Sequence, residues 1–279
     1  MSSAKTVLPS APNLLSQTQI DDFISDGYIT VQNVFSANTA EAIREALWDE
    51  LTAIGVTRHD PATWTKPVVH LTKTFTGEPF ASAWTERLYA ALDDVMGVGR
   101  YLAPVGLGWW PVSFPNLDPK PWVPPTIGWH IDGIQFHHHI HSPDQGLLPL
   151  FLLSDIQPYG GGTAVSVGSH RTTARILAEA EPDGLSAQEL TERVLAHPIA
   201  NVRELTGKAG DVVLVHPFLL HARSPNTGNS VRFICNPCIP LRQPMNLARA
   251  YTHEYSLVEL AIVLALADDA EMRISTGSR

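Results

Sequence analysis

The residues with the clearest chemical potential are His130 and Asp132, which are separated by one residue and followed much later in the chain by His221. Two imidazoles and one carboxylate form the ligand set that holds a non-haem Fe(II) ion on one face and leaves its other positions open. In an extended strand, side chains at positions i and i+2 point to the same side. The spacing therefore predicts that His130 and Asp132 bind one metal ion from a strand, although an H-x-D pattern is short and often arises by chance.

Two histidines compete for the third position of this site. His216 lies at the end of an apolar run and is followed by Pro217, which cannot donate to a strand ladder, while His221 lies five positions further along the chain. On the residues alone, both histidines remain candidates for the distal ligand.

Arg232 is the second residue with chemical potential. It lies in an alternating segment, at 231–234, whose other members are apolar. A buried guanidinium must be paired, and its planar fork matches the two oxygens of a carboxylate. The pattern predicts that a carboxylate binds Arg232, and the alternative is a surface arginine on an edge strand.

Further motifs surround these residues, and their order along the chain is informative. They are W-H-x-D at 129–132, G-G-T at 161–163 with G-S-H at 168–170, G-D-V-V-L at 210–214, L-L-H-x-x-x-P-N at 219–226 and V-R-F at 231–233. In this combination, over about residues 17–240, the sequence resembles the phytanoyl-CoA dioxygenase family of Fe(II)- and 2-oxoglutarate-dependent oxygenases.

The resemblance implies roles for the candidate residues. His130, Asp132 and His221 would hold Fe(II), because the distal ligand of the family lies in the L-L-H before the P-N turn. Arg232, eleven positions after His221, would bind the distal carboxylate of 2-oxoglutarate, and His216 would be a core or supporting histidine. Arg223 departs from the small polar residue usual two positions after the ligand, and it receives no role.

The resemblance also implies a fold and an activity. The fold would be mainly β, a cupin-like double-stranded β-helix or jelly roll with flanking α-helices and a helical insertion. The activity would use Fe(II), 2-oxoglutarate and O2 to hydroxylate an unactivated C–H bond of a small molecule, with release of succinate and CO2. The carboxylate of Asp132 favours hydroxylation over halogenation, which needs that coordination position for chloride. Desaturation, epoxidation and ring formation stay open, as does the substrate.

The histidine-rich segment at 137–141 leaves several interpretations open. It could be a solvated loop, a substrate contact near the pocket mouth, a pH-sensitive patch or a separate zinc site. Two rival functions follow: a zinc-dependent cupin-like hydrolase or isomerase, and a non-catalytic relative that binds a ligand. Cys235 and Cys238 form a single C-x-x-C and are interpreted as structural thiols, and Ser113 is a further candidate for contact with the cosubstrate.

Composition narrows the class of protein. The chain has 279 residues, 44% of them hydrophobic, and a net charge of −9 without a basic cluster, which argues against a nucleic-acid partner. Two cysteines exclude a disulfide scaffold. The longest apolar run is too short to span a bilayer, so the sequence predicts a cytoplasmic protein with no membrane partner and leaves its oligomeric state open.

The chain is expected to form a single domain over residues 1–279. The expected parts are a loose tail at 1–15, N-terminal helices at 16–60, a jelly-roll core at 68–240 with an insertion at 171–197, and a C-terminal helix at 250–270. Capping boxes beginning at Ser16 and Ser186 predict helix starts. The insertion, judged too polar to be core, is expected to form two short helices around a turn and to cover the pocket mouth together with 137–141.

Overall fold

The computed structural model describes residues 14–115 and 121–276, without the side chains of residues 268–276. Most of the predicted loose tail lies outside these residues. Leu14 and Leu15 are described, and their backbone N–H groups both donate to the carboxylate of Asp94 at 2.9 Å. The tail prediction is therefore wrong at these two positions.

Helices flank the sheets. Those in the described residues are α1 (Gln17–Asp26), α2 (Ala37–Ala53), α3 (Glu86–Met96), α4 (Ser169–Glu179), α5 (Ala187–Leu195) and α6 (Leu257–Thr276), with 3-10 turns at Pro61–Thr63, Ala81–Ala83 and Thr252–Glu254. Both predicted capping boxes form, at Ser16 with Gln19 and at Ser186 with Glu189. Each serine hydroxyl accepts a backbone N–H that the first turn would otherwise leave unpaired.

The strands are short and pair antiparallel. They are β1 (Tyr28–Val31), β2 (Val68–Leu71), β3 (Trp110–Ser113), β4 (Leu148–Leu152), β5 (Thr163–Ser166), β6 (Val202–Glu204), β7 (Val212–Val215), β8 (His221–Arg223) and β9 (Ile234–Cys235). One sheet has the order β1-β7-β4-β9, a second β6-β5-β8, and β2 pairs with β3. Single bridges between Ser113 and Arg232, and between His130 and His221, extend the two larger sheets.

Alternation along the strands divides the apolar side chains into two clusters. The smaller cluster joins Leu150, Val213 and Ile234 of the four-stranded sheet to Val165 of the three-stranded sheet, so it lies between the sheets. The larger cluster contains the intervening side chains, such as Phe151, and those of the helices. Each sheet thus has an inner face towards the other sheet and an outer face towards the larger cluster.

The expected architecture needs correction in part. Antiparallel sheets with flanking helices are present, but the helices contain more residues than the strands, so "mainly β" overstates the strand content. The insertion does form two helices around a turn. Its first helix is not too polar to be core, because Ala174 and Leu177 of α4 are fully buried and α4 packs against α6. The C-terminal helix begins and ends later than expected, at Leu257 and Thr276.

Among the described residues, no helix is both long enough and apolar enough to cross a membrane.

Candidate metal and cosubstrate site

His130 and His221 are brought together by direct backbone pairing. The N–H of His130 donates to the carbonyl of His221 at 2.9 Å, and the N–H of His221 donates back at 3.1 Å. Beyond this one bridge the chain leaves the sheet, and Gly133 adopts a φ of 115°, which a residue with a side chain rarely reaches. The expected strand through Asp132 is therefore wrong, because the chain turns directly after the metal motif.

The three predicted ligands converge despite this turn. One ligand atom from each of His130, Asp132 and His221 lies within 4.8 Å of the others. The carboxylate oxygens of Asp132 lie 3.3 Å from His130 Nε2 and 3.6 Å from His221 Nε2. The side chain of His130 is 47% exposed and that of His221 only 8%, so the group opens to solvent on the His130 side.

Backbone carbonyls set the protonation of both rings. Nδ1 of His130 lies 2.9 Å from the carbonyl of Gly128, and Nδ1 of His221 lies 3.0 Å from that of Leu219. Because a carbonyl oxygen can only accept, each Nδ1 carries a proton, and Nε2 is the ring nitrogen left for a metal. This arrangement is the one that metal-binding histidines require.

The charges of the group favour an ionised carboxylate. Burial alone would raise the pKa of Asp132, but His221 and His130 outweigh burial and hold that pKa well below its ordinary value. Burial lowers the pKa of His130, while the hydrogen bond and charge of Asp132 raise it by more. Two imidazole nitrogens around one carboxylate give a donor set suited to a divalent transition metal.

Arg232 is buried with part of its guanidinium unpaired. Its exposed fraction is 3%, and its Nε and Nη1 atoms have no hydrogen-bond partner among the described residues. Burial lowers the pKa of Arg232 to about 9, and the charge of Arg223 acts in the same direction. Unpaired buried donors on a cation are costly, so this position is suited to receive an anion.

The backbone around Arg232 is fixed by the turn that follows His221. Arg232 and Ser113 exchange backbone hydrogen bonds of 2.8 and 2.9 Å. The side-chain amide of Asn226 donates to the carbonyls of Ser113 and Ser230. Asn226 thus links the two strand segments beside the guanidinium. Asn226 belongs to one of the sequence motifs, but the sequence alone predicts no role for its side chain, because its partner Ser113 is 113 positions away.

His216 lies apart from this group, in the core. Its Nδ1 accepts from the N–H of Phe218 at 3.1 Å, and its Nε2 lies 3.3 Å from the carbonyl of Val258. Its ring centroid is 4.9 Å from that of His170. With both ring nitrogens engaged, His216 has no free donor for a metal.

The histidine-rich segment packs against the turn between α4 and α5. His139 and His141 lie 3.4 and 3.6 Å from the carboxylate of Glu181. His138 is buried and pairs through its backbone with Leu185. In the described part of the chain only the group of His130, Asp132 and His221 has metal-binding geometry, so the expected alternative of a separate zinc site lacks a ligand set.

Both cysteines are free thiols. The Sγ of Cys235 lies 2.9 Å from the carbonyl of Gly108, and that of Cys238 lies 3.3 Å from the carbonyl of Asp144. Burial raises the pKa of Cys238 to about 12 and also raises that of Cys235 well above its ordinary value. Both side chains are therefore protonated, as expected of structural thiols.

Three solved structures are similar to this chain. SnoK, a non-haem alpha-ketoglutarate-dependent carbocyclase from nogalamycin biosynthesis, has a TM-score of 0.50 and 18% identity, over 84% of this chain and 86% of SnoK. EvdMO1 has a TM-score of 0.51 and 17% identity, over 80% of this chain and 49% of EvdMO1. HygX from Streptomyces hygroscopicus, solved with nickel and 2-oxoglutarate, has a TM-score of 0.49 and 17% identity, over 81% and 87% of the two chains.

At these identities the likeness to SnoK and EvdMO1 shows a shared fold. No curated protein gives a significant sequence match to the chain. The sequence model of the phytanoyl-CoA dioxygenase family, PhyH, matches residues 23–234, a span that contains all four predicted site residues. The chain therefore belongs to the phytanoyl-CoA dioxygenase family of Fe(II)- and 2-oxoglutarate-dependent oxygenases.

Proposed function

We propose that this protein hydroxylates an unactivated C–H bond of a small molecule, using Fe(II), 2-oxoglutarate and O2 and releasing succinate and CO2. His130, Asp132 and His221 would hold the metal, and Arg232 would bind the distal carboxylate of 2-oxoglutarate. The observation that carries the proposal is the buried guanidinium of Arg232, whose Nε and Nη1 atoms are unpaired in the part of the chain that the structure describes.

The chemistry of the donors supports these roles. Each histidine offers an Nε2 lone pair because its Nδ1 proton is held by a carbonyl, and Asp132 supplies the negative charge. When bound, Fe(II) with 2-oxoglutarate and O2 supplies the oxidation of a strong C–H bond. Three protein ligands leave positions free for the keto acid and O2.

Arg232 would orient the cosubstrate. Its planar fork can donate two parallel hydrogen bonds to a carboxylate, which fixes direction as well as position. Arg232 lies two positions before Ile234, whose side chain belongs to the cluster between the sheets, so Arg232 also points to the inner face. His221 of β8 points to the same face, because its partner Val165 belongs to that cluster. A carboxylate at Arg232 would satisfy donors that otherwise remain unpaired in the interior.

The sheets support a double-stranded β-helix in a single domain. The bridge between Arg232 and Ser113 extends the sheet β1-β7-β4-β9 to β3. The bridge between His221 and His130 extends the sheet β6-β5-β8 to His130. Two facing antiparallel sheets with a core between them are the architecture of a jelly roll. The larger apolar cluster contains residues from α1 to α6, which supports one folding unit.

The insertion and the segment 137–141 would cover the mouth of the site. The N–H of Ile131, between two of the ligands, donates to Thr191 Oγ1 of α5 at 3.2 Å. The segment 137–141 lies against the turn before α5. Because α4 is anchored against α6, any opening would involve α5 and the turn.

Conversion of 2-oxoglutarate to succinate tests the proposal without knowledge of the substrate. Metal-free protein is reconstituted anaerobically with Fe(II) and 2-oxoglutarate, exposed to O2, and assayed for succinate and CO2. We expect slow O2-dependent turnover with Fe(II) and none with Zn(II). Absence of both 2-oxoglutarate binding and turnover would favour a non-catalytic relative. Product analysis with identified substrates would then separate hydroxylation from ring closure, since the structurally similar SnoK is a carbocyclase.

A further inference from the structure

Arg223 lies beside the proposed metal site on the same strand as His221. The two are two positions apart in β8, and the residue between them, Ala222, belongs to the larger cluster on the outer face. His221 and Arg223 therefore both point to the inner face. The partner residues in β5 are Val165 and Thr163, and Val165 belongs to the cluster between the sheets.

The guanidinium of Arg223 has no partner among the side chains that the structure describes. Within residues 14–115 and 121–276, Arg223 forms no side-chain hydrogen bond and no ion pair, and the residue is exposed. Glu204 is a nearby carboxylate, but its oxygens accept from the N–H of Gly162 at 2.8 Å and from the hydroxyl of Ser224 at 3.2 Å. A free cation two positions from a metal ligand is thus available to a bound molecule.

His70 approaches the same space from β2. It pairs with Pro111 of β3, and the outer-face residues of β3 are Trp110 and Val112, so His70 lies on the inner face. Its ring centroid is 6.1 Å from that of Trp109, whose exposed fraction is 47%. Burial lowers the pKa of His70, and the charges of Arg223 and Arg232 lower it further, as expected if both guanidinium groups lie near the ring.

We propose that Arg223 and His70 form a subsite that binds a carboxylate of the substrate, with Trp109 against the apolar part of the same molecule. One fixed positive charge with a neutral imidazole matches a singly charged carboxylate better than a phosphate dianion. The substrate would then be a small carboxylic acid.

The cosubstrate does not account for Arg223. One carboxylate of 2-oxoglutarate belongs at the metal and the other at Arg232, so no third carboxylate remains for Arg223. The inference rests on the proposed function, because it takes Arg232 as occupied by 2-oxoglutarate.

The probes are 4-bromobenzoate and its neutral counterpart 4-bromobenzamide. The full chain is loaded with Ni(II), which replaces Fe(II) without turnover, and with saturating 2-oxoglutarate. Crystals are soaked with each probe, and bromine is located by anomalous scattering. Affinities are measured by calorimetry for the wild type, Arg223→Gln, Arg223→Lys and the control Arg203→Gln, an exposed arginine on β6.

We expect 4-bromobenzoate to bind with its carboxylate at Arg223 while 2-oxoglutarate remains bound. The amide should bind at least about tenfold more weakly, because it lacks the charge that Arg223 pairs with. Arg223→Gln should lose about tenfold or more in affinity for the acid, Arg223→Lys should recover part of it, and Arg203→Gln should match the wild type. The affinity of Arg223→Gln for 2-oxoglutarate should stay within about threefold of wild type, since Arg232 retains its carboxylate.

Several results would overturn the inference alone: no acid bound beside Arg223, equal binding of acid and amide, an unchanged Arg223→Gln variant, or displacement of 2-oxoglutarate by the acid. Failure of the wild type to bind Ni(II) and 2-oxoglutarate would instead overturn the proposed function.

Discussion

The candidate metal ligands His130 and His221 differ from the core histidine His216 in the partners of their ring nitrogens. His130 and His221 place Nδ1 against a carbonyl and direct Nε2 towards Asp132. His216 has partners at both nitrogens and is surrounded by Phe23, Phe218 and His170. The same residue type is thus placed where it could bind a metal in one position and where it packs in the core in the other.

Replacing the two competing histidines separates these tasks. His221→Ala removes an Nε2 ligand, so we expect loss of most bound metal and of all turnover, with the fold retained. His216→Ala leaves a cavity in the core, which should cost about 2–4 kcal/mol of stability while the metal still binds. Metal content by elemental analysis and unfolding by denaturant measure the two effects. Metal loss confined to His216→Ala would show that the distal ligand is misassigned.

Arg232→Ala should weaken the binding of 2-oxoglutarate strongly. Removing one member of a buried charge-assisted pair costs on the order of 2–5 kcal/mol, because the other member is left unpaired. The apparent KM for 2-oxoglutarate should rise about 30-fold or more, given tenfold for each 1.4 kcal/mol. Arg223→Ala serves as the control and should have the smaller effect, as measured by succinate release. Equal responses would contradict the assigned partner.

The candidate ligands could be predicted from the sequence because they lie in motifs that occur in a characteristic order along the chain. Arg232 could be predicted because its charge interrupts an alternating apolar segment. His70 was not predicted from the sequence as a candidate binding residue. It belongs to a strand far from the motifs, and nothing in that strand alone shows which face points inwards. The amide of Asn226 was missed for a similar reason, since its partner Ser113 is 113 positions away.

At the scale of elements, α5 contacts the segment that carries His130 and Asp132 through a hydrogen bond of Thr191. Thr191 Oγ1 accepts from the N–H of Ile131, which lies between His130 and Asp132. Thr191→Val keeps the shape but removes the acceptor. Leaving this buried N–H unpaired should cost about 1–3 kcal/mol, measured by titration as a loss of about fivefold or more in metal affinity. Thr191→Ser retains the hydroxyl and should match the wild type; identical affinities for the valine and serine variants would show that the contact positions nothing.

The ends of helices could be predicted from the sequence where interactions between residues close in sequence determine them. The capping boxes at Ser16 and Ser186 place two helix starts correctly, since the partner residues lie within one turn. The extended strand through Asp132 was wrong because Gly133 turns the chain, and α4 was judged too polar because its buried face depends on α6, distant in sequence. Tertiary packing overrides composition at such positions.

At the scale of the whole molecule, two buried histidines couple stability to pH. Burial lowers the pKa of His170 to about 4 and that of His216 well below its ordinary value. A group whose folded pKa is depressed contributes stability above its unfolded pKa, near 6.5, and loses it as the pH falls towards the folded pKa. The wild type should therefore lose stability between about pH 6.5 and pH 4.

The variant His170→Gln tests how much His170 contributes to this pH dependence of stability. His170→Gln retains a side-chain donor for the carbonyl of Ile24 but cannot be protonated in this range. Between pH 7 and pH 5 its free energy of unfolding should fall by about 2 kcal/mol less than that of the wild type, as measured by urea denaturation at each pH. Parallel pH profiles for the two proteins would contradict burial of a neutral His170.

The most direct test of the central claim is an anaerobic crystal structure of the full chain with Fe(II) and 2-oxoglutarate. We expect the metal to be bound by His130 Nε2, His221 Nε2 and the Asp132 carboxylate, and the distal carboxylate of 2-oxoglutarate to accept hydrogen bonds from the guanidinium of Arg232. Metal bound elsewhere, or bound 2-oxoglutarate whose distal carboxylate makes no hydrogen bond to Arg232, would contradict this assignment.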